Sequence, residues 1–345
     1  MGNNKNHYIE LCRFVASIEI MLHHSWRMGV DQIATGGWIF VEFFFMISGY
    51  FVTLHFNNLK FENAEKEALT YTMRKLMRIY PLAIIGIVLD IINQILLSKS
   101  PLSEWKRVLY SLPANLLLLG RMKLSEYVFD GSLWYLTGIM LTMPIIIIII
   151  MLKMNSMYRY IFVWIAPIAG YSYLFLKYGN IYYWGGSNQL NLIMRAFCGL
   201  VLGSLSFYIN EWANTKEVSD YLWTILSLSS IIVFALLLYL PFRSNCKDKA
   251  FFCVFCSLLF ITIALNRRCT INKHIPACAD ELGRLSVALF CLHGPVFNLI
   301  KLYRGTLSNR VTFYGGIIFT VIVSAEIMNI VDGIRKNYWF FSKRE

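Results

Sequence analysis

The sequence predicts an all-α integral membrane protein, a polytopic bundle of about ten transmembrane helices. Hydrophobic residues make up 57% of the 345 residues, charged residues only 15%, and the mean hydropathy is +0.54. This is far from the balance of a soluble domain. Apolar runs at 38–56, 79–97, 133–152 and 221–240 are long enough, at about 1.5 Å per residue, to cross a hydrocarbon layer of about 30 Å. We therefore expect residues 1–345 to form one membrane domain.

Ten apolar segments are predicted to span the membrane. They begin near Tyr8, Trp38, Ile79, Leu133, Tyr158, Leu190, Tyr221, Ala250, Leu285 and Phe313. An eleventh segment, 108–120, is short and interrupted by Pro113 and Asn115, which favours a re-entrant or interfacial helix over a full span. The two longer loops, 57–78 and 98–132, are expected on the inner and outer side of the membrane.

The net charge of +12 does not indicate a nucleic-acid partner, because the basic residues lie in short segments between apolar runs. There they are typical of topology signals and phosphate contacts. The positive-inside rule favours ten spans with both termini in the cytoplasm. The first segment lacks a small-residue cleavage site, so we expect an uncleaved helix. The eight cysteines form no disulfide framework, and no metal site is predicted.

Charged side chains within a span are costly, so each is a candidate for function. Arg13 and His24 are eleven residues apart, which places them on one helix face about 16 Å apart along the axis. Arg13 pairs naturally with Glu10 one turn away. His24, near the outer end, is expected to stay neutral through desolvation, as a general base must. The alternative is a structural histidine bonded to a neighbouring carbonyl; His23 fits that role better.

Other polar residues allow two interpretations each. Glu42 is expected to be a structural partner of a buried cation, and Ser48 with Gly49 permits close helix approach or a kink. Two basic clusters at inner ends of helices either bind phosphates or anchor the topology. Their members are Arg74, Lys75 and Arg78 in the first and Arg267 and Arg268 in the second.

On the outer side, aromatic residues and amides suit sugar recognition, since rings cover apolar sugar faces and amides bond hydroxyls. The alternative is an ordinary interfacial aromatic belt. The residues concerned are Tyr182, Tyr183, Trp184, Asn188 and Gln189, with Trp134 and Tyr135 on the next segment. His293 is expected to serve helix packing or a kink rather than to act as a second base, because Pro295 frees carbonyls nearby.

Five segments in order resemble the acyltransferase 3 family of membrane acyltransferases. They are ELCRFVASIEIMLHH, VEFFFMISGYFVT, RKLMRIYP, GSLWYLTGIM and ELGRLSVALFCLHGPVF. The resemblance covers residues 10–297, with the family's Arg, ten residues, then His pattern at Arg13 and His24. Two positions depart from it. The family's Arg-x-x-Arg is Lys75 and Arg78 here, which makes Arg74 an alternative phosphate ligand, and its frequent His before Leu-Trp is Ser132.

The resemblance implies a ten-helix core in the bacterial cytoplasmic (inner) membrane. This core would take an acyl group, expected to be acetyl, from cytoplasmic acetyl-CoA or another acyl-CoA. The acceptor would be a hydroxyl or amine of a cell-envelope glycan or lipid-linked sugar. His24 would act as general base, with an acyl-histidine intermediate as the less favoured variant. This mechanism calls for a continuous polar passage between the two faces of the membrane. No metal or nucleic acid is expected; membrane lipid is the surrounding partner, and the oligomeric state is not predicted.

Two other classes of function remain open. A transporter or flippase of lipid-linked sugar or polysaccharide also needs many helices and buried charges, but inverted repeats and broken helix pairs are not evident in the sequence. A sensor or scaffold would need an output domain, which the sequence does not show.

Overall fold

The computed structural model describes residues 6–57, 63–97, 101–152, 156–182 and 189–342, and within them the chain is helical with no strand. Eleven α-helices form the bundle in these ranges. They are α1 (His7–His23), α2 (Ile39–Phe56), α3 (Ala64–Leu97), α4 (Pro101–Leu116), α5 (Trp134–Met151), α6 (Ser156–Tyr178), α7 (Gln189–Asn214), α8 (Asp220–Arg243), α9 (Ala250–Ala264), α10 (Ala279–Tyr303) and α11 (Asn309–Ser342). The polytopic all-α prediction is confirmed.

Eight of these helices are long and apolar enough to cross a membrane: α2, α3, α5, α6, α7, α8, α10 and α11. Two further predicted spans, α1 and α9, have 17 and 15 residues. They run antiparallel, because Asn6 before α1 donates to the carbonyl of Ala264 at the end of α9 (2.7 Å). Glu10 near the start of α1 and Arg335 near the end of α11 line the same cavity, so the first and last helices of the described chain have these ends on one side of the bundle.

One predicted loop is wrong in detail, and the other contains the expected helix. The predicted inner loop 57–78 is helical from Ala64, because α3 continues as a charged helix beyond its apolar part. The predicted outer loop 98–132 contains α4, which covers the first part of 108–120 and ends at Leu116. Tyr80 of α3 donates to the Leu116 carbonyl (2.8 Å), and the chain then returns to Asp130, whose N–H donates to Asp90 (2.9 Å). This course is that of a re-entrant helix, as expected.

Small residues and proline bring the helices around the site together. A Cβ atom on Gly49 of α2 would overlap the carbonyl of Leu200 on α7, so these two backbones touch. In α10, Pro295 cannot donate to the carbonyl of Cys291. That carbonyl lies 2.5 Å from where Gly86 of α3 would carry a Cβ. Close backbone contact thus fixes α2 against α7 and α10 against α3.

Candidate active site

A cavity of about 450 Å³ opens at the end of the bundle where α1 begins, and we call it the basic mouth. Five cations line it: Arg13, Lys75, Arg78, Arg284 and Arg335. Three carboxylates line it as well: Glu10, Asp280 and Asp332. The cations come from α1, α3, α10 and α11, so residues far apart in sequence meet at one opening.

Several of these arginines are already paired. Glu10 accepts two hydrogen bonds from one Arg13 nitrogen, at 2.7 and 2.9 Å, as their spacing of one turn predicts. Arg284 and Arg335 share Asp332, at 3.1 and 3.6 Å. Such pairs fix the guanidinium groups in place and reduce the positive charge that the cavity presents.

A middle cavity of about 150 Å³ continues from the basic mouth into the bundle and shares Arg13 and Lys75 with it. The Lys75 ammonium donates to the Ser48 hydroxyl (3.2 Å), which lies 3.0 Å from the Tyr135 hydroxyl. Tyr135 in turn donates to the carbonyl of Phe44 (3.2 Å). This chain of donors points in one direction, from a cation at the cavity wall to a helix backbone.

The largest of these cavities, about 670 Å³, opens at the opposite end of the bundle, and we call it the histidine mouth. Its described lining combines histidines, aromatic rings and cations. The members are His23, His24, Trp26, Arg27, Gln32, Thr35, Trp38, Arg121, Gly131, Ser132, Trp134, Tyr182, Asn245 and Lys247. This is the composition of a polar ligand site with apolar faces.

His24 immediately follows α1 and lies against His293 of α10. The two rings stack with centroids 5.0 Å apart, and His24 Nδ1 is 3.0 Å from His293 Nε2. His293 Nδ1 lies 2.8 Å from the carbonyl of Leu289. Since a carbonyl only accepts, His293 carries its proton on Nδ1, and its Nε2 is an acceptor. His24 must then carry its proton on Nδ1 as well, which leaves its Nε2 as the basic atom.

The environment of His24 favours the neutral imidazole. Burial lowers the pKa of His24 well below its usual value, and the nearby His293 and Arg27 lower it further. A neutral ring with a free Nε2 is the form that can take a proton from a hydroxyl. The sequence interpretation of His293 as a packing residue omitted this contact, which joins residues 269 positions apart.

A buried carboxylate lies behind this histidine pair. Asp130, in the loop before α5, accepts a hydrogen bond from the Ser132 N–H (3.2 Å), and the Ser132 hydroxyl is 3.4 Å from His293 Nε2. Burial and the neighbouring Asp90 raise the pKa of Asp130 to about 7, and the charge of Arg27 opposes this rise. Asp130 therefore titrates in the physiological range beside the site.

An ion pair lies beneath the aromatic part of the histidine mouth. Arg195 donates to Glu42 (2.6 Å), and Tyr171 donates to the other oxygen of Glu42 (2.6 Å). The side chains of Glu42 and Arg195 are 0% and 3% exposed, so Glu42 is the partner of a buried cation. Removing either would leave an unpaired buried charge at a cost of about 3–5 kcal/mol.

Three aromatic rings surround this cation. The Arg195 guanidinium carbon is 4.7 Å from the ring centroid of Trp134, 5.6 Å from that of Trp38 and 5.7 Å from that of Tyr182. Trp38 and Tyr182 also stack on each other, with centroids 4.7 Å apart. All three rings line the histidine mouth, so Arg195 holds an aromatic floor for the cavity by cation–π contact.

The histidine mouth and the middle cavity are separate in this structure. Their described linings share no residue. Tyr135 and Phe290 line the middle cavity and contact each other with ring centroids 5.4 Å apart. Phe290 also lies 6.5 Å from the His293 ring. The expected continuous passage is therefore interrupted by a neck of aromatic rings directly below the histidine pair.

The remaining sequence candidates lie elsewhere. Arg74 is exposed and does not line the described cavities, whereas its neighbour Lys75 lines two of them. Arg267 and Arg268 donate to carbonyls at the end of α7 and just beyond it, and they too are absent from these linings. Tyr183, Trp184 and Asn188 are outside the residues that the structure describes.

Some site residues were not found by sequence reasoning. Arg27 and Arg121 lie in short 3₁₀ helices and Asp130 in the loop before α5, where no α-helical period relates them to a neighbour. The sequence carried one usable signal, since Arg27 is three residues after His24 and so has to lie close to it. Ser132 was noticed only as a departure from the family pattern, although the structure places its hydroxyl at His293.

Comparison with known proteins was consistent with this geometry. The family model described as "Acyltransferase domain", of the acyltransferase 3 family, matches residues 6–328. No curated protein and no solved structure matches the chain significantly. Since the family model spans nearly the whole described bundle, with both mouths included, the chain belongs to the acyltransferase 3 family and is a multi-pass membrane acyltransferase.

Proposed function

We propose that the protein moves an acetyl group from acetyl-CoA, bound at the basic mouth on the cytoplasmic side, to a hydroxyl of a cell-envelope glycan or lipid-linked sugar. The acceptor binds at the histidine mouth, on the outer side of the bacterial cytoplasmic membrane. The observation that carries the proposal is the His24–His293 contact, which leaves His24 neutral with a basic Nε2 in the histidine mouth.

The donor side of the proposal rests on the cations that are not already paired. Lys75 bonds only to neutral groups in the described part of the chain, and Arg78 has no carboxylate partner there. Both line the basic mouth, so they are the residues that hold the phosphates of coenzyme A. The narrow middle cavity beyond them suits an extended pantetheine arm, which brings the thioester to the aromatic neck.

At the neck the acyl group passes from sulfur to oxygen. The acceptor oxygen attacks the thioester carbonyl carbon while His24 Nε2 removes the hydroxyl proton. The carbon–sulfur bond then breaks, and the leaving thiolate takes that proton from the imidazolium. An ester and a free thiol result, and His24 is neutral again. For the two substrates to meet, the Phe290 ring rotates away from Tyr135 and opens the neck.

The acceptor side of the proposal rests on the aromatic floor. Trp134 and Tyr182 line the cavity, and Arg195 contacts both rings. Sugar rings have apolar faces that pack on such surfaces, while Gln32 and Asn245 supply amides for hydroxyl groups.

The test is acetyl transfer by the purified protein in nanodiscs, with radiolabelled acetyl-CoA and a glycan extract of the envelope. We expect labelled glycan, with the label released by mild base as for an ester. His24→Ala is expected to lower the rate by about 10²–10⁴-fold, the contribution of a general base. The matched control is His274→Ala, since His274 is exposed and outside the described cavities.

Two results would exclude the proposal. One is full activity of His24→Ala at an abundance and melting temperature equal to the wild type. The other is an unlabelled glycan in the presence of wild-type protein that moves lipid-linked sugar across the bilayer, which would favour the transporter class instead.

A further inference from the structure

The charge of the histidine mouth is unbalanced. Three permanently charged cations line it, Arg27, Arg121 and Lys247, together with two histidines. No aspartate or glutamate is among the described residues that line it. Fixed charges of one sign around a cavity create a potential that attracts ligands of the opposite sign. A neutral sugar requires no such lining.

Two of these cations face the same small space beside Gly131. One terminal nitrogen of Arg27 lies 3.3 Å from the point that a Cβ atom on residue 131 would occupy, and a nitrogen of Arg121 lies closer still. Arg121 also donates to the Gly131 carbonyl (3.3 Å). In the described part of the chain, no group accepts a hydrogen bond from the Arg27 guanidinium. Its planar set of donors is therefore available to a ligand, with the geometry that matches carboxylate and phosphate.

The nearest carboxylate does not cancel this charge. Asp130 is fully buried behind the wall of the cavity and accepts from the Ser132 N–H. Its Oδ1 atom lies near Arg27: this oxygen and one Arg27 nitrogen are 3.2 and 2.5 Å from the position that a Cβ atom on residue 294 would occupy. This one carboxylate lies behind the cavity wall and interacts with both Arg27 and Arg121, whereas Lys247 is exposed at the rim of the cavity.

From this charge distribution we infer that the acceptor is an anionic saccharide, with a carboxylate or phosphate close to the hydroxyl that is acylated. The inference rests on the proposed function for its site and adds the chemical class of the substrate. The sugar ring packs on Trp134 and Tyr182, and the anionic group bonds to Arg27 and Arg121 across Gly131. Lys247, at the rim, attracts the rest of a charged chain.

Binding without any acyl donor tests this inference separately from catalysis. The probes are an oligosaccharide that contains a uronic acid, its carboxyl-reduced neutral counterpart, and the same neutral compound with one phosphate added. Each is titrated against the purified protein in zwitterionic nanodiscs, with tryptophan fluorescence as readout, because Trp26, Trp38 and Trp134 line the cavity. We expect both charged probes to bind at least about tenfold more tightly than the neutral one, as one charge-assisted hydrogen bond allows.

Variants then locate the binding site. Arg27→Gln is expected to remove most of the preference for charged probes and to leave the weak binding of the neutral probe. Lys247→Gln is expected to reduce the preference, and Lys249→Gln, a cation of the same loop that is outside the described lining, to leave it unchanged. Lys247 and Lys249 are both exposed, so neither replacement disturbs the packed bundle.

Equal binding of charged and neutral probes by the wild type would overturn the inference, as would an undiminished preference in Arg27→Gln. A preference that disappears in both Lys247→Gln and Lys249→Gln would also overturn it, since the charge would then act from the general surface. If acetyl transfer fails but the Arg27-dependent preference persists, the anionic site stands and the proposed reaction is the part that is wrong.

Discussion

The two mouths of the bundle are both rich in cations, but they differ in how those cations are compensated. Five cations and three carboxylates line the basic mouth, whereas three cations and no carboxylate line the described part of the histidine mouth. In the basic mouth, carboxylates fix Arg13, Arg284 and Arg335. The comparison shows that counting basic residues does not identify an anion site; their partners have to be counted too.

The comparison also separates two kinds of polar network. In the middle cavity that adjoins the basic mouth, one donor chain runs from Lys75 through Ser48 to Tyr135 and ends on a backbone carbonyl. In the histidine mouth, a similar chain starts at a backbone carbonyl, passes through His293 and ends at His24 Nε2. The first chain fixes a cation for binding, and the second leaves a basic atom at its end.

Among variants that leave His24 itself in place, the largest effect is expected from breaking the second chain. His293→Leu removes the acceptor for His24 Nδ1, so the tautomer with a basic Nε2 is no longer favoured. We expect kcat for acetyl transfer to fall on the order of 10²-fold with little change in the KM for acetyl-CoA, as for a group needed only in the transition state.

A matched variant separates this positioning role from simple packing. His293→Gln retains an acceptor oxygen near the place of Nε2 and is expected to recover activity to within about tenfold of the wild type. If Leu and Gln at position 293 reduce kcat equally while the protein stays folded, His293 acts only through packing, and the tautomer argument is wrong.

A smaller effect is expected in the basic mouth. Lys75→Met removes a cation that lines two cavities, and the KM for acetyl-CoA should rise by about tenfold, the value of one charge-assisted hydrogen bond. Arg74→Gln is the control, because Arg74 is the adjacent residue, is exposed and lines neither cavity. Steady-state kinetics at a saturating glycan concentration measures the KM for acetyl-CoA in both variants. A larger change in Arg74→Gln than in Lys75→Met would reverse the assignment of the phosphate ligand.

Sequence reasoning worked where one short pattern controls the outcome. Apolar length predicted the spans, and the eleven-residue spacing put Arg13 and His24 at opposite ends of one passage; the structure places them at opposite ends, but in separate cavities. The same reasoning missed the start of α3, because residues 64–78 form a charged helix that hydropathy does not detect. Hydropathy reports the membrane-embedded part of a helix and not the helix itself.

The chemistry of the site could be predicted only in part, for a physical reason. The contact between His24 and His293 joins the first helix to the tenth, and no local period encodes it. Arg27, Arg121 and Asp130 meet because the re-entrant segment returns beside Asp90, which depends on tertiary packing alone. The sequence shows which charges are buried, but the partners that determine what each charge does come from the fold.

The smallest effect is expected at Asp130, the buried carboxylate behind the histidine mouth. Replacing it tests whether this carboxylate offsets the cations of that mouth. Asp130→Asn keeps an oxygen that accepts from the Ser132 N–H but removes the negative charge that faces Arg27. The affinity for the charged oligosaccharide should then rise by a few-fold, about the value of one partly screened charge pair.

Protonation of Asp130 should change the affinity for the charged oligosaccharide in the same direction as Asp130→Asn. Burial and Asp90 raise the pKa of Asp130 to about 7, so its carboxylate is charged above that pH and protonated below it. Other groups that face it are Arg27, Arg121 and Cys291. In the wild type the charged probe should bind more tightly as the pH falls from 8 to 6, and Asp130→Asn should abolish most of that change. An identical pH profile in both proteins would show that Asp130 does not offset the arginines, and the histidine mouth would then be as unbalanced at high pH as at low pH.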